Sequence, residues 1–517
     1  MKSSADAVDV GPPLDRVEAA GLRRRELMAL AGTAVPVALA GCTGALNLGA
    51  GNDTTTVADT PLPGTLTLSA EQGFVGDTLT FAGSGLPAGT PVEVVWKTVQ
   101  GRWALIKHMN IVGPTYAPRT VTVASPTTDA NGSFSTSWTI PEDYGGSHEV
   151  VVQAADGTPL AKASFTLLAS FELDRTSAPL GETFTVASHA LGPDQFHTNY
   201  QVAWDNGQTG LFTAVSSRGH STAEIRATGP TGQHVLEVFR GYLGDPFLVA
   251  PQSPFGPVIG GRKHAWLVEV TEPTGSLQTQ WSDPLRPAKP DPVFYPALDK
   301  QTDARLAVTP DMGVTGDEIT ITGAAFPANT TVDLVWYTIS GSRVTSAPIE
   351  KVPLPGALPS AKTDANGSFE LTATVPSDKG GTRPVVAVVN GKSVAVAGFL
   401  LEPKVVGLST EQGPVGTEFD VTVSGIGWTE YGNSYALTYD NKYLGYGCGM
   451  DERGGENIFT LHATGAPGPH FIDIFPAMYR ADTNPPDMYE GKAQLTFRQD
   501  HPGHPTPSLH FVFTVTE

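Results

Sequence analysis

Cysteine is almost missing from this chain: only Cys42 and Cys448 occur in 517 residues, so disulfides do not hold the fold together. Charge is scarce too, at 16%, and lopsided, with 52 acidic residues against 32 basic ones. A net charge of −20 argues against nucleic acid and anionic lipid as direct partners, because phosphate binding needs clustered Lys and Arg. No apolar run reaches the ~20 residues that span a bilayer. Gly-x-Ser-x-Gly elbows, His-Glu-x-x-His helices, phosphate-cradling loops and Cys-x-x-Cys pairs are all lacking. The expectation is therefore a chain that is not an enzyme and takes no cofactor or metal. What is plentiful is glycine (57) and proline (43), set between short alternating runs rich in Thr and Val, the marks of an all-β chain with many turns.

One of the two thiols has a telling position. Residues 20–42 read AGLRRRELMALAGTAVPVALAGC: a basic cluster, an uncharged and largely apolar stretch from Leu27 to Ala40, then small residues and a cysteine. That stretch is too short to span a membrane but fits the apolar region of an export signal. The RRREL run, with Arg24 and Arg25, resembles the twin-arginine export motif, and LAGC resembles the bacterial lipobox. The resemblance implies cleavage before Cys42, a lipid on its sulfur, and a membrane anchor at the cell envelope or surface. Thr43, which follows, is not the aspartate associated with inner-membrane retention, and so points toward an outer membrane where one exists. Residues 1–41 are then the signal and 42–61 a flexible tether.

The rest is duplicated. TDANGSF occurs at 128–134 and again at 363–369, VEVVWKT (92–98) answers VDLVWYT (332–338), and PEDYGG (141–146) answers PSDKGG (376–381). A second module type follows each: YQVAWDN (200–206) answers YALTYDN (435–441), and ATGPTGQHVLEVF (227–239) answers ATGAPGPHFIDIF (463–475). The order is A1 (62–168), B1 (169–272), a Pro-rich linker (273–302), A2 (303–402) and B2 (403–517). Alternation sets Leu79 and Phe81 on one sheet face, and Val92, Val94 and Trp96 on one face of the next strand. Openings such as STEQGPVGTEFDVTVSGIGW and turns such as TDANGSF resemble the immunoglobulin-like IPT/TIG-type modules of bacterial surface proteins, over nearly all of residues 62–517. The resemblance implies four tandem β-sandwiches. It says little of function, because such modules serve as spacers, adhesins and enzyme appendages.

Candidate sites are few. Asp129/Asn131 and Asp364/Asn366 offer oxygens, yet a calcium loop needs about six to eight, and Asn-Gly between β-runs reads first as a turn in which both residues tolerate positive φ. His148, His234, Arg383 and His470 hold one position in the four modules and read as structural corner residues. Asp205-Asn206 and Asp440-Asn441 read as turn formers with a lesser claim to recognition. His501 and His504 could contribute to a zinc site, but no Cys or Glu completes it. Cys448 reads as a buried, inert thiol. Two long loops, about 240–263 and 476–508, exceed usual loop lengths and carry aromatics. Tyr242, Phe247, Phe255, Tyr479, Tyr489 and Phe497 are therefore the expected contact surface, with rings covering a sheet edge as the other reading. The expected function is a non-enzymatic, lipid-anchored binding or scaffolding protein that engages an envelope protein or polysaccharide through two copies of module B. A carbohydrate-binding surface protein and an accessory subunit of an exported enzyme are the rivals.

Overall fold

The computed structural model describes residues 61–106, 110–193, 199–242, 245–246, 264–286, 297–299, 303–340, 350–427, 434–449, 455–477, 491–501 and 505–517. The export signal with Arg24 and Arg25, Cys42 and the tether lie outside the described residues.

Every described element is a strand or turn; the chain is all-β. In A1, a three-stranded sheet of Thr65–Leu68, Thr78–Ser84 and Phe134–Thr139 faces a five-stranded sheet. The latter runs Gln72–Gly73, Pro159–Leu167, Gly146–Gln153, Glu93–Ile106, Asn110–Ala124. The edge pair 72–73 with 166–167 is parallel; the other pairings are antiparallel. The chain thus starts in one sheet, crosses to the far edge of the other, and closes an immunoglobulin-like sandwich. The same order recurs in B1, A2 and B2.

Period-2 alternation builds each core. Leu79 and Phe81 meet Val92, Val94 and Trp96 in one buried cluster, and Trp204, Trp336 and Tyr439 repeat the position of Trp96. Large rings here contribute the most buried apolar area per residue. Turn chemistry then divides into two kinds. In TDANGSF, the Asp129 carboxylate accepts the amides of Asn131 and Ser133, and Gly132 takes φ 71°; Asp364 and Gly367 repeat this. Asn131 and Asn366 do not take positive φ, contrary to the expected Asn-Gly hairpin, because the aspartate side chain closes the turn two residues earlier. The two-residue hairpin with both φ positive is instead at Asp205-Asn206 and Asp440-Asn441.

Junctions within each A–B pair match. The Gly145 amide donates to Leu191 O and the Gly380 amide to Ile426 O. A Cβ on Gly145 would lie 2.0 Å from Ala190 O, and one on Gly380 1.9 Å from Gly425 O, so the two backbones touch where no side chain fits.

The B modules do not stand apart. Ala436, Ala477, Ala493 and Leu495 of B2 belong to the B1 core. Residues 493–495 run along the exposed edge of the B1 strand Gly207–Thr213: Leu211 N donates to Ala493 O (2.7 Å) and Leu495 N to Leu211 O (2.9 Å). An unpaired strand edge is thereby covered. The linker also contributes, since its strand Gln280–Ser282 pairs antiparallel with Leu509–Phe511, near the chain end.

Candidate functional site: the cleft between the B modules

The corner position explains itself first. His148 faces the carbonyls of Tyr144 (2.7 Å) and Lys97 (3.0 Å) and stacks on Trp96 at 4.3 Å. His234 sits between Asp205 Oδ2 and Pro230 O and stacks on Trp204. His470 repeats this with Asp440, Ala466 and Tyr439, and Arg383 donates to the carbonyls of Lys379 and Gly380. All four tie a strand to the loop before it, the structural role expected of them.

Where B1, B2 and the linker meet, a cleft of about 630 Å³ opens. Arg226 ends the B1 strand Ser221–Arg226 and Asp473 lies in the B2 strand Gly468–Pro476. Nε and Nη2 of Arg226 donate to the Asp473 carboxylate at 2.9–3.2 Å, and both residues are buried. Nη1 donates to Gly181 O. Trp281 of the linker covers the guanidinium at 4.7 Å, and Phe471 lies 5.7 Å away. His510 stacks on the same indole (4.8 Å), donates from Nδ1 to Asp473 Oδ1 (2.6 Å), and points Nε2 at Asp283 Oδ1 (3.4 Å). Asn441 closes the interface from the hairpin tip, donating to Arg226 O and Thr228 Oγ1. The recognition held by the Asp-Asn hairpin is thus of the chain's own B1 module.

Each charge is tuned by its neighbours. Burial alone would raise the Asp473 carboxyl, yet the Arg226 charge and the His510 hydrogen bond drive it well below its ordinary value of 3.8. Burial would lower His510, but hydrogen bonds to Asp283 and Asp473 win and raise it above 6.5. His470 is raised as well, with burial opposed by the Asp440 hydrogen bond. The signs set a window. The His510 contribution is complete below the unfolded value of 6.5 and fades as pH climbs through the raised folded value. The Asp473 contribution is complete above 3.8 and fades as pH falls toward the depressed one. Thermal stability is expected to peak at about pH 5–6, and His510→Gln to flatten the alkaline limb in a differential scanning calorimetry series; an unchanged alkaline limb would contradict the assignment.

The far end of the interface rests on Asp500. Its carboxylate accepts from Thr213 Oγ1 (2.6 Å), Val215 N (2.8 Å), Ser216 N (2.6 Å) and Trp103 Nε1 (3.1 Å), joining B2 to B1 and A1. Burial pushes its pKa up against these four donors.

The expected contact residues fare unevenly. Phe247, Phe255, Tyr479 and Tyr489 lie outside the described residues, as does His504. Tyr242 ends the strand Gly232–Tyr242 and pairs with Asp245. Phe497 is a correction: at 1% exposure its ring is buried, beside His501, and is no exposed contact residue. The two B modules through which engagement was expected are in contact, B2 residues 493–500 being docked on B1. Cys448, expected to be buried, is exposed at the end of Lys442–Cys448, because alternate residues of that edge strand face outward.

Sequence reasoning missed Arg226, Asp473, Trp281 and His510. For Arg226, Asp473 and His510 the one visible signal was an ionisable side chain at a buried strand position, and Trp281 gave none. It also missed Glu142, His189 and His220, which come together at the A1–B1 junction.

No family model matches the chain, and none of the curated proteins matches it either. Solved structures with partial similarity include the native conformation of Escherichia coli alpha-2-macroglobulin, at 10% identity over 86% of this chain and 30% of that one, TM-score 0.17. Another is the ICAM-5 D1–D4 ectodomain fragment, at 13% identity over 84% and 99%, TM-score 0.16. A third is a putative membrane anchored protein from Corynebacterium diphtheriae, at 8% identity over 65% and 91%, TM-score 0.16. The chain spans under a third of the macroglobulin's length.

Proposed function

We propose that this is a non-enzymatic binding protein of the cell envelope, anchored through a lipid on Cys42, with its recognition site in the cleft between the B modules. The observation that carries the reading is the cleft itself, a concave space of about 630 Å³ at the meeting of three chain segments. Pockets of this size with a few convergent polar groups are where small ligands and ligand ends are held. The central ion pair is committed to the interface, as is the Gln499 amide, which bonds Thr222 at both ends, so the recognition chemistry falls to Gln278, Arg286 and Thr274, beside the Trp281 and Phe475 rings. An amide, a hydroxyl and a guanidinium next to aromatic rings suit a saccharide segment, which favours an envelope polysaccharide over a flat protein surface as the ligand.

Two measurements test the reading. Membrane fractionation of the native protein beside Cys42→Ala is expected to move the variant to the soluble fraction. Titration with envelope polysaccharide fragments, followed by tryptophan fluorescence, is expected to saturate. Gln278→Ala with Arg286→Ala should weaken that binding by about tenfold, as the loss of two hydrogen bonds implies. Variants that partition and bind like the wild type would refute the anchor and the cleft respectively.

A further inference from the structure

Three side chains with metal-binding chemistry meet at the A1–B1 junction, far in sequence from the cleft residues of B2. Glu142 comes from the PEDYGG loop of A1, His189 ends the B1 strand Thr183–His189, and His220 precedes the B1 strand Ser221–Arg226. One ligand atom of each lies within 4.8 Å of the others. His189 Nδ1 is 2.6 Å and His220 Nδ1 3.6 Å from Glu142 Oε1, and the two rings are 5.2 Å apart. Glu142 Oε2 and His189 Nε2 are buried without a hydrogen-bond partner. Buried polar atoms left in that state are costly and call for an explanation.

The duplication supplies an internal comparison. Strand pairing aligns Glu142 with Ser377, His189 with Ser424 and His220 with Glu456. The second junction keeps the backbone contact that joins the modules, Gly380 to Ile426, yet with two serines and one glutamate at these positions it has neither histidine. A junction of this kind therefore closes without the trio, and packing alone does not account for all three residues at the first one.

We propose that Glu142, His189 and His220 bind a divalent transition-metal ion, zinc being the best match, and that the ion clamps A1 to B1. Two imidazoles and one carboxylate are borderline ligands suited to zinc rather than to calcium or magnesium. Tetrahedral Zn–N and Zn–O bonds of about 2.0–2.1 Å place ligand atoms roughly 3.3 Å apart, so His189 Nδ1 and Glu142 Oε1, at 2.6 Å, must part slightly while His220 Nδ1, at 3.6 Å, closes in. On binding, His189 exchanges its hydrogen bond to Glu142, and His220 its 2.9 Å bond to Ser188 O, for the ion. Glu172 Oε2, 3.9 Å from His189 Nε2, is placed to accept the remaining ring proton and orient the imidazole. The three ligands leave a fourth position for water. This departs from the expectation that the chain takes no metal, which weighed only the Asp-Asn turns and the His501/His504 pair.

The test is cobalt(II) absorption and zinc calorimetry on the full chain, beside His189→Ser and Glu142→Ser, which install the residues of the second junction and so are expected to fold. One equivalent of metal should bind, giving tetrahedral d–d bands, and each substitution should weaken it by about 100-fold or more. Zinc should raise the melting temperature of the wild type and leave that of the variants unmoved. Absence of binding would overturn the proposal, as would one equivalent bound equally well by both variants, which would place the ion elsewhere, at His501 for example.

Discussion

Arg226→Ala is expected to lower stability by about 3–5 kcal/mol, the usual cost of leaving a buried carboxylate without its partner. The size follows from three observations together. Asp473 is buried, its acidity is set chiefly by Arg226 once burial is overcome, and the guanidinium also holds Gly181 O and lies under Trp281. His510 remains beside Asp473 and shields part of the loss, so the fall is largest at alkaline pH, where the imidazole is neutral. The pair itself adds less than its removal suggests, because desolvating two charges consumes most of their attraction. Arg226→Met with Asp473→Leu is accordingly expected to recover most of the loss. Urea unfolding followed by tryptophan emission checks both. A single variant as stable as the wild type would show that water reaches Asp473 freely.

Asp500→Ala comes second, at roughly 3 kcal/mol. Four donors lose their acceptor, and each orphaned buried donor costs about 1–3 kcal/mol, partly offset as water enters the vacated volume and as the raised pKa of the carboxyl reports its own burial cost. The effect has a location as well as a size. Amides of Val215 and Ser216 should lose hydrogen-exchange protection before the interior strands of B1, and Trp103, in A1, should respond although it lies in another module. Uniform loss of protection across B1 would mean that Asp500 supports the module and not the docking.

How much of this could be read in advance depended on the range of the interaction. Leu79, Phe81, Val92, Val94 and Trp96 reveal the sandwich because strand alternation is a local pattern, and duplication supplies it twice. His148, His234, Arg383 and His470 were legible as corner residues for the same reason. Arg226 and Asp473 were not: each occurs once in its strand, and no local rule pairs positions 247 residues apart. Asp205-Asn206 and Asp440-Asn441 look alike in sequence, yet only the context of B2 shows Asn441 reaching Arg226 and Thr228. Phe497 misled, since aromatic content in a long loop signals a contact surface without saying whether the partner is another molecule or another module. The metal trio was hidden because its three residues belong to two modules and to separate strands.

The hydrogen bond from Trp103 to Asp500 joins positions 397 apart, and this bears on how the molecule assembles in time. Sandwich strands close over tens of residues, whereas the B1–B2 interface must await the C-terminal segment, and loop-closure entropy is only repaid once that segment has docked. The four modules should therefore collapse first and dock last, through an intermediate with formed sheets and a bare edge at Gly207–Thr213. In that intermediate Arg226, Asp473 and Asp500 are still hydrated. Their dehydration belongs to the final step, so a change at any of the three should alter that slow phase and leave the rates of module folding alone.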